Sequence, residues 1–305
     1  MIATMWVSAA VGQSDIRVAP YFGNRQCAIS YTFDDGLLEH YTLVRPRLNA
    51  LGLKGTFCII GSKVGLAQKG TPCMTWEQLR EMAAEGHEIT SHGFRHQSME
   101  KISGEAMRYE VQHNDTLIYD NVCVFPRTYF YPGNRKTPEG VAFCSHDRVG
   151  TRTFQVSLGG QRDSLWVARW LDRLLKRGEW GVTMTHSITI GYDAMEDPQF
   201  LWNHLEQVAA MQDRVWVATF HDVSAYVAER DTIQLKVSGS KKGVLTVLPV
   251  MPLDKSLFTH PLTMVVGTKV KEARQGKRIL MLTEKDGQTL FDFNPHGGKI
   301  LIKMK

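Results

Sequence analysis

Between residues 27 and 230 the sequence alternates short β-rich runs with amphipathic segments that carry helix caps, and this alternation narrows the available folds more than any other feature. Seven runs have strand character: AISYTF (28–33), GTFCII (55–60), HEITS (87–91), TYFY (128–131), RVGTR (148–152), WGVTMT (180–185) and VWVATF (215–220). Helix starts stand between them. Thr75 and Gln78 form a capping box, Thr137-Pro138 and Asp197-Pro198 put Pro at the first helical position, and Gly86 stops the helix begun at Thr75. Seven parallel strands with intervening helices predict an open or imperfectly closed α/β barrel, with its chemistry in the loops after the strands' C-terminal ends.

Beyond residue 230 the pattern changes to apolar-polar alternation without helices, as in TIQLKVSG, GVLTVLPV and KILIKMK, which predicts an antiparallel β module over 231–305. Asp286-Gly287 is a hairpin signal within it. The module holds no catalytic motif, and its many apolar residues, with no aromatic cluster beyond Phe291 and Phe293, favour a structural cover over a grip on polymer. Residues 1–24 read as a tail or the remnant of an export signal. The stretch MIATMWVSAAVGQ is apolar and ends with Ala10 and Gly12 spaced as before a signal-peptidase cut, although the first positive charge is Arg17. Export to the periplasm or the exterior is the corresponding expectation. The barrel is assigned residues 25–230.

Composition sets the outer limits. With 43% hydrophobic and 22% charged residues the chain is an ordinary globular protein, which excludes disorder and coiled coil. No apolar run reaches the ~18 residues of a membrane span. The formal charge of +5 is spread without a basic block, so no nucleic-acid partner is indicated. Five cysteines, an odd number with no CxxC pair, predict buried thiols and no complete disulfide framework.

The loops after three strands carry polar residues that packing does not require. Thr32-Phe33-Asp34-Asp35-Gly36 places two adjacent carboxylates at the end of an apolar strand, where a cation relieves their repulsion. His92-Gly93-Phe94-Arg95-His96 offers two imidazoles four residues apart, a donor type suited to zinc and other late divalent metals. Asp35 with His92 and His96 supplies one carboxylate and two nitrogens and leaves positions open, as a catalytic metal site needs. Thr183-Met184-Thr185-His186 brings a third histidine to the same rim. Asp34 beside the metal and His186 opposite then form a base and acid pair for hydrolysis.

Together TFDDG (32–36), the SHxxxH of residues 91–96, FYPGN (130–134) and the strand-end His186 resemble the ordered motifs of the polysaccharide deacetylase, or NodB-homology, family, also called carbohydrate esterase family 4. The likeness covers about residues 25–230. It implies a distorted (β/α)7 barrel that removes acetyl groups from a carbohydrate with one divalent metal, commonly Zn2+ and in some members Co2+ or Ni2+. By matching position it implies Asp34 as base, Asp35, His92 and His96 as metal ligands, metal-bound water as nucleophile and His186 as acid. A backbone N–H near Tyr131-Pro132 would meet the developing oxyanion. Three departures stand out. The third motif lacks the Arg that holds the catalytic Asp, for which Arg127 and Arg152 are both candidates. Gly93 stands where Ser or Thr is usual, and the acidic residue that tunes the catalytic histidine has no clear counterpart, Asp163 being the nearby candidate. The substrate expected is an O-acetyl polysaccharide such as xylan, or an N-acetyl glycan. A hydrolase of small amides and a silent carbohydrate-binding protein are the alternatives. The intact Asp-His-His set counts against the first, and intact Asp34 and His186 against the second.

Overall fold

The computed structural model describes residues 16–239 and 243–305, and the signal-like stretch 1–13 lies outside them. The chain divides into two compact units, Arg25–Ala228 with Asp254–Phe258, and Glu229–Leu253 with Thr259–Lys305 and the residues before Arg25.

The first unit is a curled parallel sheet flanked by helices, with a separate short antiparallel hairpin formed by Ala67–Gln68 and Thr71–Pro72 that is left out of the strand numbering. Numbering strands in chain order, with β1 at Ile16–Val18, it contains β2 (Cys27–Ser30), β3 (Thr32–Phe33), β4 (Thr56–Ile59), β5 (Glu88–Ser91), β6 (Thr128–Phe130), β7 (Gly150–Arg152), β8 (Val156–Ser157), β9 (Trp180–Met184) and β10 (Val215–Val217). β10, β2, β9 and β8 are neighbours in one stretch, and β3, β4, β5, β6 and β7 in the other. The run predicted as a single strand over 28–33 is thus shared between the two. Its first half pairs with β9 and β10, and its second half pairs with β4. The chain changes partners at Tyr31, whose buried hydroxyl lies 2.8 Å from His204 Nε2. A parallel bridge between Phe33 and Thr185 then joins the stretches, and Thr185 accepts a 2.8 Å bond from the Asp34 amide. This junction sets Asp34 beside the strand end that carries His186.

Each sequence signal has a local outcome. The capping box forms, with Thr75 Oγ1 accepting from Gln78 and Gln78 Oε1 from Thr75, and starts the helix Trp76–Ala84. Pro138 opens the helix Pro138–Ser145 behind Thr137. Pro198 takes the cap position of the helix Gln199–Ala209 instead of its first turn, and Asp197 Oδ1 accepts from Gln199. The run 215–220 stays extended only to Val217, because Thr219 Oγ1 caps Asp222 and the helix Phe220–Thr232 begins there. The core between sheet and helices is aliphatic and aromatic. Phe33 stacks on Phe57 at 5.0 Å, and Leu48, Leu79, Leu171 and Leu205 are buried with them. Four cysteines are buried as expected, but Cys123 is exposed, since it ends the helix Asn114–Val122 in a left-handed conformation.

The second unit consists of antiparallel strands, with Leu262–Val266 fully buried between β1 and Gln288–Phe293. The segment 16–24, grouped with the N-terminal tail on sequence grounds, therefore contains a paired strand. Asp286 and Gly287 both have positive φ, 52° and 77°, which is the hairpin turn their sequence signals. No described helix is long and apolar enough to cross a membrane.

Candidate metal and acid-base site

Asp34 and Asp35 follow β3, and His92 and His96 follow β5. Parallel strands place these ends at one rim. Asp35 Oδ1 lies 3.5 Å from His92 Nε2 and 3.6 Å from His96 Nε2. It is buried and has no hydrogen-bond partner. A buried acceptor of this kind costs about 1–3 kcal/mol unless something satisfies it. A tetrahedral zinc with bonds of about 2.0–2.1 Å sets its ligand atoms roughly 3.3 Å apart, so the observed spacing fits a divalent ion.

The tautomer of His92 supports this fit. Its Nδ1 is 2.9 Å from the carbonyl oxygen of Phe130, which can only accept, so Nδ1 carries the proton and Nε2 presents its lone pair. Burial pushes the His92 imidazole down to about 4, only partly offset by the Asp34 charge, and keeps it neutral as a metal ligand must be. Cys58 Sγ, Asp34 and His92 form a second cluster of potential ligand atoms. It is the weaker candidate: burial raises the Cys58 thiol well above its ordinary value, the thiol is 3.2 Å from Asp34 Oδ1, and both Asp34 oxygens are held by an arginine.

That arginine is Arg152, at the end of β7. Its Nη1 donates to Asp34 Oδ1 at 2.6 Å and its Nη2 to Asp34 Oδ2 at 2.5 Å, while Nη1 also donates to Thr32 Oγ1 at 2.6 Å. Both side chains are buried. Burial by itself would raise the Asp34 carboxyl, but the Arg152 charge and its two bonds outweigh that effect and hold it below the carboxylate range. Arg127, the other candidate, precedes β6 and donates to the Asp147 carbonyl at 3.1 Å while lying over Phe125.

The loop between the two histidines is shaped by a residue the motifs do not contain. Glu110 is buried, and its Oε1 accepts from the amides of Arg95 at 2.8 Å and Gln97 at 2.9 Å. Gly93 has φ 79°, and a Cβ there would lie 2.6 Å from Glu110 Oε1. This accounts for glycine where a hydroxyl residue is usual: the backbone is left-handed and the pinned carboxylate occupies the space. Gly93→Ala is expected to cost about 1–3 kcal/mol of stability and to weaken metal affinity, measured by urea unfolding and zinc titration. Wild-type values for both would refute this description of the loop.

His186 follows β9. His40 Nε2 donates to its carbonyl at 2.7 Å, and the Glu39 carboxylate accepts from the amides of Ile188 and Thr189 at 2.8 and 3.0 Å, fixing the turn beyond it. The His186 ring packs edge-on to Tyr192 at 5.0 Å. Its buried Nδ1 is 3.5 Å from Asp193 Oδ2 and makes no hydrogen bond. The carboxylate beside His186 is therefore Asp193. Asp163, proposed from sequence, instead caps the helix Ser164–Arg177 by accepting from Trp166 at 2.7 Å. No spacing rule points to Asp193, seven residues after the histidine; only the fold of the 186–193 loop does. Tyr131 is buried with its hydroxyl donating to Thr151 at 3.0 Å, and Pro132 lines a groove that reaches His96.

Residues 23–142 match the family model for polysaccharide deacetylase. The YxkH protein of Bacillus subtilis (strain 168), named as a polysaccharide deacetylase, is 32% identical over 109 residues, which are 35% of this chain and 37% of that protein. A gellan lyase of Bacillus sp is 22% identical over 299 residues, 83% of this chain and 11% of that one. Among solved structures, a protein from Mycobacterium smegmatis described as a polysaccharide deacetylase superposes with a TM-score of 0.55 at 16% identity, covering 74% of this chain and 98% of that chain. At that identity the likeness is one of fold. The matched segment spans little more than a third of YxkH.

Proposed function

We propose that this protein, whose residues 23–142 carry the polysaccharide deacetylase pattern, is a metal-dependent hydrolase that removes acetyl groups from a polysaccharide or oligosaccharide. The observation that carries the reading is the buried, unpartnered Asp35 Oδ1 facing two imidazole nitrogens, beside an aspartate held ionised by Arg152. Asp35, His92 and His96 would hold the ion. When bound, it supplies Lewis acidity toward the acetyl carbonyl and positive charge for the developing oxyanion.

The remaining work belongs to the chain's own side chains. Asp34 stays ionised at neutral pH and accepts the proton of the attacking water, and Arg152 fixes the direction of that carboxylate. His186 delivers a proton to the departing sugar oxygen or nitrogen. Asp193 Oδ2, 3.5 Å from Nδ1, orients the ring. Asp193→Asn is expected to lower kcat while leaving metal content unchanged. A kcat equal to wild type would remove Asp193 from this role.

Acetate release from acetylated xylan and from chitooligosaccharides, with metal-free and metal-supplemented protein, tests the reading. Release that depends on metal supports it. No release from either substrate, or from a small acetyl ester, counts against it.

A further inference from the structure

The groove that begins at His96 runs between the loop after β5 and the loop after β6, with a volume of about 720 Å³. That is the size of a small-molecule site, and it is open enough to admit a chain. Eight residues line it, and none is acidic: Lys101 and Arg135 supply two positive charges, with His96 at the catalytic end and Pro132 on the floor. Lys136 follows on the same loop but does not line the groove, its Nζ lying 3.5 Å from the Asn134 carbonyl. Three carboxylates touch lining residues: Asp35 is 3.6 Å from His96 at the catalytic end, Glu110 is buried behind the loop where it accepts from the Gln97 amide, and Glu100 Oε2 is 3.1 Å from Arg135 Nη1. Both partners of that pair are largely exposed, at 65% and 44%, and such pairs are worth little, so a ligand anion can compete for the guanidinium.

Neutral sugars need hydrogen-bonding and stacking groups, not a concentration of fixed cations. A planar carboxylate, by contrast, matches the fork of Arg135 and is drawn by the Lys101 charge. The formal charge of +5 on the whole chain adds a long-range attraction of the same sign. We infer that this groove binds a hexuronate unit, so that the substrate is an acidic polysaccharide in which the acetylated sugar neighbours a carboxylate-bearing one. The inference rests on the deacetylase reading for the role of the site, but the groove's preference for anions is measurable without turnover.

Calorimetric titration of the full chain with unacetylated oligogalacturonate and with its methyl-esterified, neutral form provides the test. The acidic form is expected to bind at least ~10-fold more tightly in low salt, with the advantage shrinking as NaCl screens the charges. Lys101→Gln/Arg135→Gln, with its fold checked by melting temperature, is expected to bring the two affinities together. Equal binding of both forms by wild-type protein, no binding of either, or a preference unchanged in the double variant would overturn the inference. Hydrolysis of 4-methylumbelliferyl acetate by the wild-type, metal-loaded protein separates the two claims. If it proceeds while the anion preference is absent, only the substrate class fails; if neither it nor acetate release from acetylated xylan and chitooligosaccharides proceeds, the deacetylase reading fails whatever the titration shows.

Discussion

Asp34→Asn is expected to lower kcat by ~10² to 10⁴ while leaving about one equivalent of metal on the chain. The amide keeps the shape of the carboxylate but cannot accept a proton from water at neutral pH. It also sets an NH2 group toward one of the two Arg152 nitrogens that now donate to Asp34 at 2.6 and 2.5 Å, so the variant will melt earlier than wild type. Turnover must therefore be read well below its melting temperature, with metal content measured on the same sample. Asp35, His92 and His96 are untouched, which is why metal retention distinguishes lost chemistry from a collapsed site. Near wild-type turnover would show that Asp34 is not the base.

Arg152→Met is expected to destabilise the fold by about 3–5 kcal/mol at neutral pH, because it leaves the Asp34 charge buried without its partner. The pH dependence has a definite sign. Asp34 is held below the ordinary carboxylate range in the folded protein, so the ion pair contributes fully above about pH 4 and its contribution is lost as pH falls toward the folded value. The gap between wild type and Arg152→Met in urea unfolding should thus be widest at neutral pH and narrow as pH falls, first because burial raises the unpaired Asp34 carboxyl of the variant, which is stabilised on taking up a proton, and in stronger acid because the wild-type pair is itself lost. A gap below 1 kcal/mol at pH 7 would mean that water or another cation already satisfies Asp34. The same substitution should depress turnover, since it frees the direction of the carboxylate.

Much of this site is legible in the sequence, and the parts that are not share a cause. The runs that form β4, β5, β6 and β9 are apolar or β-branched and end in turn residues, so local pattern fixed them to within a residue or so. The polar ends of those strands could be read as one rim because parallel topology makes them one rim. Three things depended on position around the curl instead. The partner change at Tyr31 leaves no mark in an unbroken strand-like run. Arg152 and Arg127 were equivalent by sequence and are separated only because one ends β7 and the other precedes β6. Asp193 and Asp163 likewise differ by where their loops turn, the latter being a helix cap. Gly93 was visible as an exception, but its reason, the buried Glu110 carboxylate, lies in another element. Short-range capping and turn chemistry is legible at Thr75, Thr137 and Asp286, and displaced by one residue at Pro198, which caps its helix instead of opening it.

The central claim is that one divalent ion, held by Asp35, His92 and His96, is required for deacetylation. Its most direct test is to strip the protein with chelator and return Zn2+ or Co2+ in measured steps while following acetate release. Activity is predicted to be absent at the start, to rise linearly, and to level off at about one equivalent per chain, with no recovery in His92→Ala or Asp35→Ala. Full acetate release from the stripped protein, or recovery in those variants that matches wild type, would contradict the account.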